Sequence, residues 1–276
     1  EGFATYAEYL FLENERGRDE ADYELRQCAG AYMREEGGRY RRPIVCNTFK
    51  YANVLFDRHL YEKGACVLHM LRGELGPEVW GKSLAHYLRR HRNGSVETSD
   101  FVAAIEDCSG RNMRWFFDQW VFRPGHPCLS IYYRFDPRRR SVEMRVRQTQ
   151  KEAAYRLPVQ FRFTGEGGAW SRDFHEVVDK KEAVFEYRLP GEPALAEFDT
   201  AHRLVAKVDA RPPLGLGPRP GDAAGGARHL PGHQRLVELA GEGRHRRAAR
   251  LHRGEDRLCP GVHPRGEVRR GWRRGR

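Results

Sequence analysis

Tyr61-Glu62-Lys63-Gly64 sets a phenol, a carboxylate and an ammonium in consecutive positions ahead of a small Gly-Ala step. A phenol held in place can donate a hydrogen bond to an oxygen that gains negative charge, and a carboxylate can serve as a base or a metal ligand. Such a set at a helix start reads as a site. The plainer reading is open beside it: Tyr61 half-buried with its hydroxyl at the surface, and Glu62 and Lys63 solvated.

The element that carries these groups is a helix from Tyr61 to Leu75. Tyr61, Gly64, Ala65, Leu68, Leu71 and Leu75 fall in steps of three and four, and Gly76-Pro77 ends the pattern. The same period predicts helices over Glu1–Glu13, Asp19–Glu36, Pro77–His91, Phe101–Cys108 and Arg111–Phe122. Thr98, Ser99 and Asp100 offer N-capping oxygens for the Phe101 helix. Arg123-Pro124-Gly125-His126-Pro127 breaks the last one. Beyond it the period becomes 2, through Leu129–Phe135, Val142–Val146, Leu157–Phe163 and Ala183–Leu189, the pattern of a small β-sandwich. The chain is therefore expected to be α+β, helical over residues 1–126 and all-β over 127–209.

The net charge of +11 would point to nucleic acid if it were spread over the body. It is not. Residues 211–276 hold 16 Arg, 13 Gly and 6 acidic residues, whereas residues 1–210 hold 33 basic and 32 acidic ones. Residues 210–276 are expected to be an Arg/Gly-rich tail, either disordered or read in a shifted frame, and no specific nucleic-acid partner is expected for the body. Six cysteines with no C-x-x-C spacing fit a reduced thiol set, which favours a cytoplasmic location. No apolar run is long enough for a transmembrane helix.

Glu1-Gly2-Phe3-Ala4, Tyr61-Glu62-Lys63-Gly64 and the aromatic run Phe116 to Pro127, ending Arg-Pro-Gly-His-Pro, stand in a fixed order. Together they resemble the aminopeptidase N family of zinc metallopeptidases. The resemblance implies the helical C-terminal part of a thermolysin-like catalytic domain, followed by that family's β-sandwich. It also implies a single zinc ion with Glu1 as one of three protein ligands, Tyr61 as the catalytic residue that stabilises the transition state, and peptides with a free N-terminus as substrates. The family's His-Glu-x-x-His helix and Gly-x-Met-Glu-Asn stretch have no counterpart here. The chain is thus read as a fragment, inactive by itself, with substrate-binding residues and oligomeric state left open. The alternative is a non-catalytic scaffold of the same fold that binds nucleic acid through its tail.

Other candidates carry plainer readings. His175-Glu176-Val177-Val178-Asp179 ends in Asp and reads as a solvent-facing strand. His59 and His69 read as satisfied packing or surface residues, Arg123 and His126 as a join between the two parts, Trp115, Phe117 and Trp120 as core, and the Glu13 to Glu24 charge run as a solvated face.

Overall fold

The structure, a computed structural model, describes residues 1–210. The expected basic tail lies outside the described residues. Six α-helices come first: α1 (Gly2–Arg16), α2 (Arg18–Gly38), α3 (Glu62–Leu75), α4 (Pro77–Arg90), α5 (Thr98–Ser109) and α6 (Arg114–Trp120). Seven strands follow: β1 (Cys128–Asp136), β2 (Ser141–Gln148), β3 (Leu157–Thr164), β4 (Ser171–Val178), β5 (Glu182–Arg188), β6 (Leu195–Phe198) and β7 (Lys207–Ala210).

Helix α3 is the centre of the helical part. Every residue from Lys63 to Leu71 is buried, because α1, α2 and α4 each pack against it. Ala65, Leu68, Leu71 and Leu75 meet a core that includes Tyr6, Leu25, Trp80 and Phe101. Gly76, at φ +81°, turns the chain out of α3, and Pro77, which has no N–H to leave unpaired, opens α4. Helix α5 begins one turn earlier than expected. Its N-cap is Glu97, and the Asp100 carboxylate accepts the Glu97 N–H at 2.8 Å, so Asp100 caps from inside the first turn.

The strands form two sheets, ordered β5-β2-β1-β7 and β4-β3-β6, with β7 parallel to β1 and the other pairings antiparallel. Their inner faces carry the alternating apolar residues, Val142, Met144 and Val146 from β2 and Leu157, Val159, Phe161 and Phe163 from β3. Aromatic pairs span the sheets, including Tyr133 with Phe163 and Phe174 with Tyr187. His175 and Glu176 sit in β4, where the outer residues face water.

Two glutamines, one in α6 and one at the end of β2, hold the segment before β3 by imitating backbone. Gln119 donates to the Arg156 carbonyl at 2.9 Å and accepts the Arg156 N–H at 3.0 Å. Gln148 does the same for Tyr155, at 2.7 and 2.8 Å. Tyr155 then packs its ring at a tilt against Trp120. Phe117 and Trp120 are core, as expected, while Trp115 is half-buried with the Arg156 guanidinium 4.5 Å from its ring.

Candidate active site at the start of the central helix

Sixty residues separate Glu1 from Tyr61, and two glycines bring them together. A Cβ on Gly2 would stand 3.0 Å from the Gly64 Cα, and one on Gly64 would stand 3.0 Å from the Gly2 Cα. The first turns of α1 and α3 are therefore in backbone contact, which only glycine on both sides permits. Glu1 precedes α1 and its carbonyl accepts the Thr5 N–H at 3.1 Å, leaving the carboxylate exposed. Tyr61 precedes α3, and its carbonyl accepts the Ala65 N–H at 2.9 Å. The two side chains face one another. Partial desolvation and the nearby Glu1 carboxylate both raise the phenol above its ordinary pKa.

Lys63 is not solvated. It is fully buried, donates from Nζ to the Gly125 carbonyl at 3.0 Å and lies 5.3 Å over the Tyr32 ring. Burial pulls its ammonium down to about 8, against the pull of the Glu36 carboxylate in the other direction. Glu36 is itself enclosed: His126 Nδ1 lies 3.2 Å away and Arg41 Nε 2.8 Å away. Burial alone would raise the Glu36 carboxyl, but His126, Lys63 and Arg41 together hold it below its usual range. His126 also reaches the Tyr32 hydroxyl at 3.3 Å and so ties the segment before β1 to α2, while Arg123 lies 3.8 Å over the Tyr155 ring in the segment before β3. Glu62 pairs with Arg58 at the surface side of the same turn.

Upstream, the irregular stretch after α2 is tied down by a buried ion pair. Arg42 grips Asp57 through Nε at 2.8 Å and Nη2 at 2.5 Å, and its Nη1 bonds the Pro43 and Ile44 carbonyls. Tyr40 also donates to Asp57, which caps the following turn by accepting the His59 and Leu60 N–H groups at 3.0 and 3.1 Å. Burial would raise the Asp57 carboxyl, but Arg42 and Tyr40 outweigh it and hold it low.

Metal binding divides into two questions. Glu35, Asp57 and His59 are the only three His, Cys, Asp or Glu residues among those described whose ligand atoms lie within 4.8 Å of one another. His59 is wholly buried and neither ring nitrogen has a hydrogen-bond partner, contrary to the expectation of a satisfied histidine. Yet both Asp57 oxygens are already occupied by donors, and a divalent cation there would face the Arg42 guanidinium. The group fits an anchor rather than a metal centre. Glu1, in contrast, offers an exposed carboxylate, which is one ligand where a catalytic zinc needs three. The described residues therefore complete no zinc site of their own.

The charge run departs from expectation, while His69 and the cysteines meet it. The Glu13 to Glu24 run is not simply solvated: Asp22 is buried and accepts the Tyr9 hydroxyl at 2.9 Å, and Glu13 takes Arg72 at 2.6 Å. His69 is buried beside the Tyr6 hydroxyl at 3.4 Å, and burial drives its pKa down to about 3. Cysteines 28, 46, 66, 108 and 128 are free thiols. Burial raises the Cys28 and Cys66 thiols, which makes them poor nucleophiles.

Residues 1–120 match the Peptidase family M1 domain. The chain is 31% identical over 135 residues to tricorn protease-interacting factor F2 of Thermoplasma acidophilum, covering 48% of this chain and 17% of that protein. It is 32% identical over 132 residues to aminopeptidase M1 of Arabidopsis thaliana, covering 47% and 15%. The fold is similar to that of Legionella pneumophila aminopeptidase A, solved in complex with aspartic acid, at a TM-score of 0.60 and 19% identity over 76% of this chain and 23% of that one. The chain thus spans less than a quarter of the length of these relatives. The match to the Peptidase family M1 domain lies within residues 1–120, under half of the chain, and the family likeness rests on that part.

Proposed function

We propose that this chain supplies one zinc ligand, Glu1, and one transition-state hydrogen-bond donor, Tyr61, to a zinc aminopeptidase acting on peptides with a free N-terminus. The observation that carries the reading is the meeting of Glu1 and Tyr61 at the Gly2–Gly64 crossing, which sets a carboxylate and a protonated phenol on one side of the molecule. The other two zinc ligands and the general base would come from outside these 276 residues, as the resemblance implies.

The chemistry asks two things of this chain. Zinc, when bound, supplies an acidified water and polarises the scissile carbonyl. Glu1 would give a negative oxygen ligand held at the N-terminal end of α1. Tyr61, a phenol that is protonated at neutral pH, would donate its hydroxyl to the oxygen that gains charge as the carbonyl becomes tetrahedral. Its backbone is pinned by the first hydrogen bond of α3, so little reorganisation is needed as charge develops.

The test is hydrolysis of an aminoacyl-p-nitroanilide by the complete protein that carries this chain, with zinc content measured in parallel. Tyr61→Phe should lower kcat by roughly 100- to 1000-fold at unchanged zinc content, the usual size for loss of one oxyanion donor. Glu1→Gln should lower bound zinc. Full activity in Tyr61→Phe would overturn the assignment. The 276-residue chain alone should hydrolyse nothing in a zinc-dependent way, and detectable turnover by it would show that the missing ligands are not required.

A further inference from the structure

Lys63 lies two residues beyond Tyr61 in the first turn of α3, yet it points the other way, into the interior between α2 and the segment that leads to β1. An ammonium in that place is costly: desolvation of a charge is tolerated only when partners compensate. The partners come from three separate elements. Gly125 of the Arg-Pro-Gly-His-Pro turn accepts its hydrogen bond at 3.0 Å, Tyr32 of α2 presents its ring at 5.3 Å, and Glu36 near the end of α2 supplies the opposing charge. His126, next in sequence to Gly125, closes the circuit by reaching both Glu36 and Tyr32. A methionine or leucine would fill the same space at no electrostatic cost, so the ammonium is explained by what it ties together.

The consequence concerns Tyr61. On one side α3 is fixed by the Gly2–Gly64 contact, which sets where Glu1 lies. Resting on the aminopeptidase reading above, we infer that Lys63 is a positioning residue: by tying the first turn of α3 to the Gly125 carbonyl and to α2, it sets the Tyr61 hydroxyl against the Glu1 carboxylate. The role is distinct from that of Tyr61 because Lys63 is wholly buried and cannot touch substrate. It also gives the Arg-Pro-Gly-His-Pro turn a task, that of offering a carbonyl with no competing donor from a helix or sheet.

A double-mutant cycle in the complete protein tests this, with Lys63→Met and Tyr61→Phe made singly and together and assayed on the same aminoacyl-p-nitroanilide. Lys63→Met should lower kcat about 10- to 100-fold, in the range that misplacement of a catalytic group produces, with KM changed less than about twofold and zinc content unchanged. In the Tyr61→Phe background the same substitution should cost less than about twofold, since the group it positions is gone. An equal loss in both backgrounds, or no loss in the first, overturns the inference. If Tyr61→Phe alone is without effect, the failure belongs to the aminopeptidase reading itself. Should Lys63→Met not fold, Glu36→Gln takes its place in the cycle, since it leaves the ammonium present but removes its opposing charge. A smaller kcat loss confined to the Tyr61 background supports the inference, and a loss equal in the two backgrounds overturns it.

Discussion

The helical and stranded parts bury different things. Asp22, Arg42, Asp57, His59, Lys63 and His69, the buried charged or imidazole side chains among the described residues, all lie before Pro127. The strands bury Ser141 and Gln148 as their polar members, both neutral, and place charge outside, where Arg145 and Arg147 of β2 pair with Glu182 of β5; half-buried Asp199, just past β6, is the exception. One part is held by apolar packing of alternating residues. The other accepts the cost of enclosed charges, and each enclosed charge sits near the start of α3 or between the helices that flank it. The sandwich can be read as support and the helical interior as a device for placing groups.

The sharpest way to break this contrast is to remove a member of each core. Asp57→Ala would leave Arg42 buried without its partner and should cost about 3–5 kcal/mol. Phe161→Ala, in the sandwich, should cost a similar ~3–5 kcal/mol through cavity formation. Urea unfolding at several pH values separates them. The loss in Phe161→Ala should be constant across pH. The loss in Asp57→Ala should shrink as pH falls through the depressed Asp57 pKa, because the wild-type pair is itself lost there. A pH-independent Asp57→Ala loss would mean that the ion pair is not what the fold uses.

Histidine and aspartate should then tilt the acid limb in opposite directions. His69 has a folded pKa of about 3, below its unfolded 6.5, so the unfolded chain binds more protons between those values. Its contribution is present above pH 6.5 and is lost on acidification, by about 3 kcal/mol between pH 6.5 and 4. Asp199 has a folded pKa raised to about 6 by burial, despite bonds from the Arg203 and Leu204 N–H groups. Its contribution is present below the unfolded value of 3.8 and is lost as pH rises through 6. Relative to wild type, His69→Gln should lose less stability on acidification and Asp199→Asn more. Urea midpoints at pH 7, 5.5 and 4 would contradict the account if both variants shifted the same way.

Smaller effects follow at the contact and at the surface. Gly64→Ala should cost about 1–3 kcal/mol, since its methyl group meets the Gly2 backbone and α1 must move. In the complete protein it should also impair zinc binding, which a merely stabilising glycine would leave alone. Arg162→Ala removes a half-exposed pair with Asp173 and should cost under about 1 kcal/mol by thermal melting.

Much of the architecture could be read from the residues themselves. The 3.6 period locates the helices to within a few positions, and the change to period 2 after Pro127 locates β1, β2, β3 and β5, whereas β4 is marked only by the reading of His175–Asp179 as a strand. Strands β6 and β7, each four residues long, escaped because so short a run carries no period, and β7 pairs parallel with a strand about 80 residues earlier. The site was legible as three short stretches but not as an arrangement. Gly2 and Gly64 look like ordinary small residues until the helices cross. The plainer reading leaves Lys63 solvated because charge at a helix start usually is, and nothing local announces a carbonyl 62 residues away. The Arg42–Asp57 pair was invisible for the same reason: a buried ion pair is a property of two distant positions, and Arg41-Arg42-Pro43 alone reads as a loop.

Anomalous diffraction at the zinc edge, from crystals of the complete protein, tests the central claim most directly. The account predicts one strong peak at coordination distance from the Glu1 carboxylate, about 2.0–2.2 Å, with the Tyr61 hydroxyl on the same side, and none at Glu35, Asp57 and His59. A peak on that second group, or a zinc whose ligands exclude Glu1, would contradict it.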